Sequence, residues 1–178
     1  MMKKYLYLLP FVNSLFLLLA FNLFISNAQA QSLDVKLDTL MGSGFVFAPA
    51  NGQVETLRAP LNMNNNFIFI FDKEHHLEWV LGTRVELEDN VAFALNPQIR
   101  MKKDHKHFSS FFGVGLPTFI QPRLRVGTEV LFGSILKITD GMGLLFQVSG
   151  TTYLFGSDLP DGTIAFSLGG NVGLRFNF

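Results

Sequence analysis

Asn171-Val172-Gly173-Leu174-Arg175-Phe176-Asn177-Phe178 decides the reading of this sequence. Successive side chains of an extended strand point to opposite faces. Val172, Leu174, Phe176 and Phe178 therefore share one face, and Gly173, Arg175 and Asn177 share the other. The period of two predicts an amphipathic strand that runs to an aromatic carboxyl-terminal residue.

The opposite end carries an export signal. Lys3 and Lys4 precede an apolar run from Tyr5 to Ile25, interrupted by Pro10, Asn13, Ser14 and Asn22. Ala28-Gln29-Ala30 then places small residues where a signal peptidase reads them. The expectation is a signal peptide over residues 1–30, cut between Ala30 and Gln31. An uncleaved anchor is the alternative, since the run could nearly span a bilayer. Pro10, Asn13 and the A-x-A site speak against it.

With this leader, the last eight residues resemble the C-terminal strand of Gram-negative outer-membrane β-barrels. In that class the terminal Phe and the alternating apolar residues are read by the barrel-assembly machinery. The resemblance implies that Val172, Leu174, Phe176 and Phe178 form an assembly signal. It also implies that signal peptidase, the assembly machinery and outer-membrane lipid are partners. It is a likeness to an architectural class, the small eight-stranded barrels, with no full-length family behind it.

Removing the 30-residue leader from the 178 leaves 148, the length of one domain. All 14 acidic residues and all basic residues except Lys3 and Lys4 lie in this part, for a net charge of −2. No basic excess points to nucleic acid. Cysteine is absent from a chain bound for a compartment that permits disulfides. A closed hydrogen-bonded barrel would hold such a fold without them.

Eight segments alternate: Leu33 to Ala48, about Asn65 to Phe71, Leu77 to Leu87, Val91 to Met101, Phe108 to Ile120, and runs starting at Arg123, Met142 and Thr163. Glu88-Asp89-Asn90, Lys103-Asp104-His105, Asp140-Gly141 and residues 158–162 supply turn chemistry between them. One connection, Pro49 to about Asn64, reads as a long loop because of Gly52, Pro60 and the Asn64-Asn65-Asn66 run. Pro117 predicts a bulge or strand end within the fifth segment. The expectation is an all-β, eight-stranded, antiparallel up-and-down transmembrane barrel over residues 31–178. Both termini should lie on the periplasmic side and the Pro49–Asn64 loop outside the cell.

Size decides which face is outside. One face is nearly all Leu, Val, Phe, Met and Ile. The other mixes glycines such as Gly42, Gly82, Gly113 and Gly133 with long charged residues. An eight-stranded lumen has room only for packed side chains, so the small and charged face belongs inside. A soluble lipocalin-type barrel would do the reverse and would carry a Gly-x-Trp motif on its first strand; the only Trp is Trp79, on the third segment. By parity Asp34, Lys36, Asp38, Glu78, Arg84, Glu86, Arg100, Arg123, Arg125, Glu129 and Arg175 enter the lumen. A turn centred on Asp89 sets Glu78 opposite Arg100, and closure brings Arg175 within reach of Asp34 or Asp38. Both pairings are expected as lumen ion pairs that plug the barrel.

Candidate chemistry is sparse. His107-Phe108-Ser109 resembles the His-x-Ser core of outer-membrane lipid A deacylases, but Ser110 stands where those enzymes have Asn. Parity also turns His107 and Ser109 toward the lumen, away from the lipid where that chemistry occurs. His75, His76, His105 and His107 gather near two turns, and adjacent strand residues would point apart. The reading is a non-enzymatic barrel with a structural or surface-interaction role, no cofactor and no metal. The alternatives are a narrow channel or a binder of a small apolar or lipid ligand, then a lipid-modifying enzyme.

Deleting Phe178, or replacing Phe176 and Phe178 with Asp, should leave the protein in the periplasm for proteolysis. Immunoblots of fractionated cells check this; normal membrane levels of either variant would refute the assembly-signal reading.

Overall fold

The structure, a computed structural model, describes residues 34–50, 53–72, 76–88, 91–156 and 164–178. The cleavage site at Ala28, Ala30 and Gln31, together with His75, Asp89 and the 158–162 turn, lies outside the described residues. Nine strand elements follow one another: β1 (Asp34–Ala50), β2 (Gln53–Asp72), β3 (Leu77–Glu86), β4 (Ala92–Asp104), β5 (Phe108–Gly115), β6 (Thr118–Gln121), β7 (Arg125–Lys137), β8 (Met142–Gly156) and β9 (Ala165–Asn177).

β5 and β6 both pair with β4 on one side and β7 on the other, so they are two halves of one wall strand. The break falls at Pro117, which has no amide to donate. The ladder bridges the gap from its neighbours: Leu116 N donates to Pro97 O at 3.0 Å and Gly127 N to Pro117 O at 2.9 Å. Counted this way the wall has eight strands, all antiparallel and each beside its neighbour in sequence. β1 and β9 close the ring from Lys36 opposite Asn177 to Phe47 opposite Phe166.

The polarity is inverted relative to a water-soluble barrel. Leu81, Phe93, Phe112, Val130, Phe132, Phe146, Val148, Leu168 and Val172 all stand exposed on the outer wall. Asp38, Glu78, Arg100 and Glu129 are almost completely buried within. Such a belt requires hydrocarbon as its neighbour, and hydrocarbon tolerates strands only in a closed ring. Ile68 and Ile70 point inward while Phe67 is exposed, as the doubly apolar Phe67–Phe71 run required. In the C-terminal strand Val172, Leu174 and Phe178 are exposed outside and Phe176 is half-buried.

Apart from residues 51 and 52, which lie outside the described residues, the expected loop from Pro49 to Asn64 is instead strand. β2 is 20 residues long, and its first half pairs with the end of β1, down to Ala50 opposite Gln53. The breakers that suggested a loop are absorbed locally. Pro60 falls where the β1–β2 register shifts, between the pairs Gly42–Asn62 and Gly44–Ala59. A bulge is a place that tolerates a missing amide. The asparagines are wall residues: Asn64 and Asn66 are buried in the lumen. Arg123 is a second correction. It precedes β7 and is exposed at the barrel mouth, because the strand begins two residues later than the alternation suggested.

The lumen is also less uniformly small than expected. Leu40, Phe111, Leu131, Ile135 and Leu145 form a buried apolar cluster inside it. Glycines on the facing strands make room. A Cβ on Gly133 would collide with the Phe111 ring, and one on Gly113 would lie 2.8 Å from Arg100 Cγ. Gly133→Val should therefore overpack the lumen and cost ~1–3 kcal/mol. Urea unfolding in lipid vesicles measures the loss, and adding Phe111→Ala should return part of it.

Candidate functional site

Two polar networks fill the barrel at different heights. The lower one, nearer the termini, is built around Asp38 on β1. Arg175 on β9 sits directly opposite it in the wall. Its Nε donates to Asp38 Oδ1 at 2.6 Å and its Nη2 to Oδ2 at 2.9 Å. The same guanidinium reaches Glu78, with Nη1 donating to Oε1 at 2.9 Å and Nη2 to Oε2 at 3.3 Å. Arg100 on β4 donates from Nη1 to Asp38 Oδ2 at 2.9 Å and from Nε to Gln98 Oε1 at 2.9 Å. Two carboxylates thus meet two guanidiniums, and the charges balance. The planar fork of arginine suits this double engagement. The Phe111 ring packs beneath, with the Arg100 guanidinium carbon 4.9 Å and that of Arg175 5.9 Å from its centroid.

The upper network centres on Glu129 of β7. Arg84 Nη2 donates to its Oε1 at 2.8 Å, Asn96 Nδ2 to Oε2 at 2.6 Å and Thr151 Oγ1 to Oε1 at 3.2 Å. Arg84 Nε donates to Asn64 Oδ1 at 2.9 Å, and Asn64 Nδ2 in turn to Asn171 Oδ1 at 3.2 Å. Above it Arg125 lies over the rings of Phe119 and Tyr153, at 5.7 and 5.1 Å. Asn96 Oδ1 is the buried side-chain polar atom left without a partner among the described residues.

One expected pairing holds and one changes. Arg175 pairs with Asp38, the second of its two expected partners. Glu78 does lie opposite Arg100 in the β3–β4 register. Their ion pairs, however, run elsewhere: Glu78 to Arg175 at 2.9 Å and Arg100 to Asp38 at 2.9 Å. In a narrow barrel a long arginine reaches across the lumen, and a shared carboxylate lets both charges be satisfied at once. Asp34, at the first position of β1, is partly buried, and the Arg175 ion pairs go to Asp38 and Glu78.

Several participants carry no sequence signal of their role. Gln98, Gln147, whose Oε1 accepts from Arg100 Nη2 at 3.5 Å, Asn64, Asn96 and Thr151 are ordinary inward polar residues until closure brings a charge beside them. Asn65 points to the lipid side and would be costly there alone. Its Oδ1 accepts from Thr39 Oγ1 at 3.1 Å, and Thr83 Oγ1 donates to its backbone oxygen at 3.3 Å. Neighbouring strands thus satisfy a polar patch within the wall.

Ser109 is buried, and its hydroxyl donates to Asp104 on β4. His107 lies exposed in the β4–β5 turn, and His105 stacks on Phe108 with centroids 4.4 Å apart. No described contact joins His107 to Ser109, so the His-x-Ser spacing does not assemble a nucleophile and base here. Below the lower network the barrel opens into a vestibule of about 490 Å³, bounded by the start of β1, the β4–β5 and β7–β8 turns and the end of β9.

No protein-family model matches the sequence, and no curated protein matches it. Solved structures share the architecture, two of them at a TM-score above 0.5. Neisserial surface protein A superposes with a TM-score of 0.56 at 10% identity, covering 80% of this chain and 97% of that one. The N-terminal β-barrel domain of Pseudomonas aeruginosa OprF superposes with a TM-score of 0.58 at 9% identity, covering 83% and 98%. Fold, strand order and inverted polarity together define a small eight-stranded barrel of the outer-membrane type.

Truncating Arg175 to Ala should cost roughly 3–5 kcal/mol, since it strands Asp38 and Glu78 in the lumen. Double-mutant cycles in refolded protein should give a larger coupling for Glu78 with Arg175 than for Glu78 with Arg100. The opposite order would place the ion pairs along the wall after all.

Proposed function

We propose that this chain is a Gram-negative outer-membrane protein, exported by a leader cut before Gln31, with a structural or surface-contact role. The observation that carries this reading is the filled lumen. Two charge-balanced networks and an apolar cluster occupy the space a solute would need, while one hairpin projects beyond the wall. A narrow channel would require a path past Arg100 and Arg175, both almost wholly buried. The filled interior also leaves little room for a small apolar ligand, and the separation of His107 from Ser109 argues against a lipid-modifying enzyme.

The β1–β2 hairpin is the contact element. β2 pairs with β3 only from Asn62 onward, with one further bond from Leu87 N to Leu61 O at 2.9 Å. Before that point its outer edge has no neighbouring strand among the described residues. An exposed edge is a template for an added strand. Val54 is 70% and Leu57 54% exposed there, an apolar surface ready for a partner. Arg58 bonds Glu88 at 2.7 Å, tying the hairpin to the next turn on the same side. The pair is solvent-exposed and contributes at most ~1 kcal/mol.

Planar-bilayer recording of the purified barrel should show no steady conductance; a stable open current would favour the channel. A cysteine placed at Thr56 should react with an impermeant maleimide on intact cells, and labelling only after lysis would invert the topology. Replacing residues 47–56 with Asn-Gly joins Val46 to Leu57, which already face each other, through a two-residue turn. That variant should still fold and show heat-dependent gel mobility.

A further inference from the structure

We propose that the vestibule at the terminus-bearing end is a binding site for a phosphate-bearing anion. Its volume of about 490 Å³ is in the range of small-ligand sites and exceeds what one side chain would fill. Lys36, Lys102, Lys106 and Lys137 line it, against the carboxylates of Asp104 and Asp140. Arg175 forms the floor, and its charge is already engaged by Asp38 and Glu78. The lining lysines therefore outnumber the lining acids two to one.

The geometry around Asp104 shows that this cage accepts an anion. Lys102 Nζ lies 3.0 Å and Lys137 Nζ 3.5 Å from Asp104 Oδ1, which also accepts the Ser109 hydroxyl. Ammonium groups from two strands thus converge on one oxygen. Lys36 is different. It points inward from β1, is half-buried, and has no hydrogen bond or ion pair among the described residues. Lys102 and Arg175 repel it, while Glu78 and Asp34 attract it. An inward ammonium that makes no ion pair among the described residues, beside a cavity lined by other lysines, is a group arranged for a ligand. Lysine is a compact charge with three donors, so several lysines from different strands suit an oxygen-rich tetrahedral group approached from many sides. The phosphate can come from a soluble compound or from the headgroup of an anionic phospholipid in the adjoining leaflet.

The test uses the full barrel refolded into phosphatidylcholine nanodiscs, titrated calorimetrically with inorganic pyrophosphate. Binding is expected, with Lys36→Gln weakening it about tenfold, the loss of one charge-assisted hydrogen bond. Lys106→Gln, at an exposed turn position with no ion pair among the described residues, should weaken it several-fold with folding unaffected. Asp104→Asn should act in the opposite direction and tighten binding, because it frees Lys102 and Lys137. Nanodiscs containing phosphatidylglycerol separate the sources. Undiminished pyrophosphate binding there assigns the site to a soluble anion. Loss of it, with phosphatidylglycerol retained by the wild type and not by Lys36→Gln in native mass spectrometry, assigns the site to the lipid headgroup. Failure to bind either probe, or equal affinity of wild type, Lys36→Gln and Lys106→Gln, would overturn the proposal.

Discussion

A strand surrounded by hydrocarbon has no water to accept its amides, so the hydrogen-bonded ring must close before any other feature of this molecule can exist. The closing seam is β1 against β9, and the same seam sets Asp38 beside Arg175. Wall closure and charge neutralisation are thus coupled at one place. The guanidinium that meets Asp38 across the seam also holds Glu78 from β3, and Asp38 holds Arg100 from β4. Four wall strands are tied together through one carboxylate and one arginine.

That arrangement shapes the interior. Eight strands leave a bore that only side chains can fill, and buried charges are tolerated only when fully paired. The lower network achieves this with two acids and two bases and the upper one with Arg84 and Glu129, whose remaining oxygens accept from Asn96 and Thr151. Bulk is shared out in the same way. Phe111 occupies lumen space only because Gly133 faces it without a side chain, and it offers its ring to both lower arginines.

Where these constraints relax, at the two mouths, the molecule gains surfaces that packing does not use. At one end β2 outruns β3 and leaves an edge with no neighbouring strand among the described residues; at the other the lysines gather around an open vestibule. Strand ends beyond the hydrocarbon need not satisfy every group internally, because water can do so. These are the regions where a partner or ligand would be met, and their side chains are the least determined by the fold.

The alternation of Leu, Val and Phe with glycine and charge determined the barrel, its strand order and its inverted polarity. A period of two allows a single assignment of faces once the bulky face is too large for the bore. It also set Glu78 opposite Arg100, since hairpin register follows from the turn. The Pro49–Asn64 stretch defeated the same reasoning: Pro60 and the asparagines are loop residues by composition, and only their partners in β1 and the lumen make them strand. Ion pairing lay beyond the sequence for a related reason. Parity tells which side of the wall a residue occupies, whereas the partner it chooses depends on which strands face each other across the bore. Only the closed tertiary structure fixes that, and so it alone decided that Arg100 takes Asp38 while Glu78 takes Arg175.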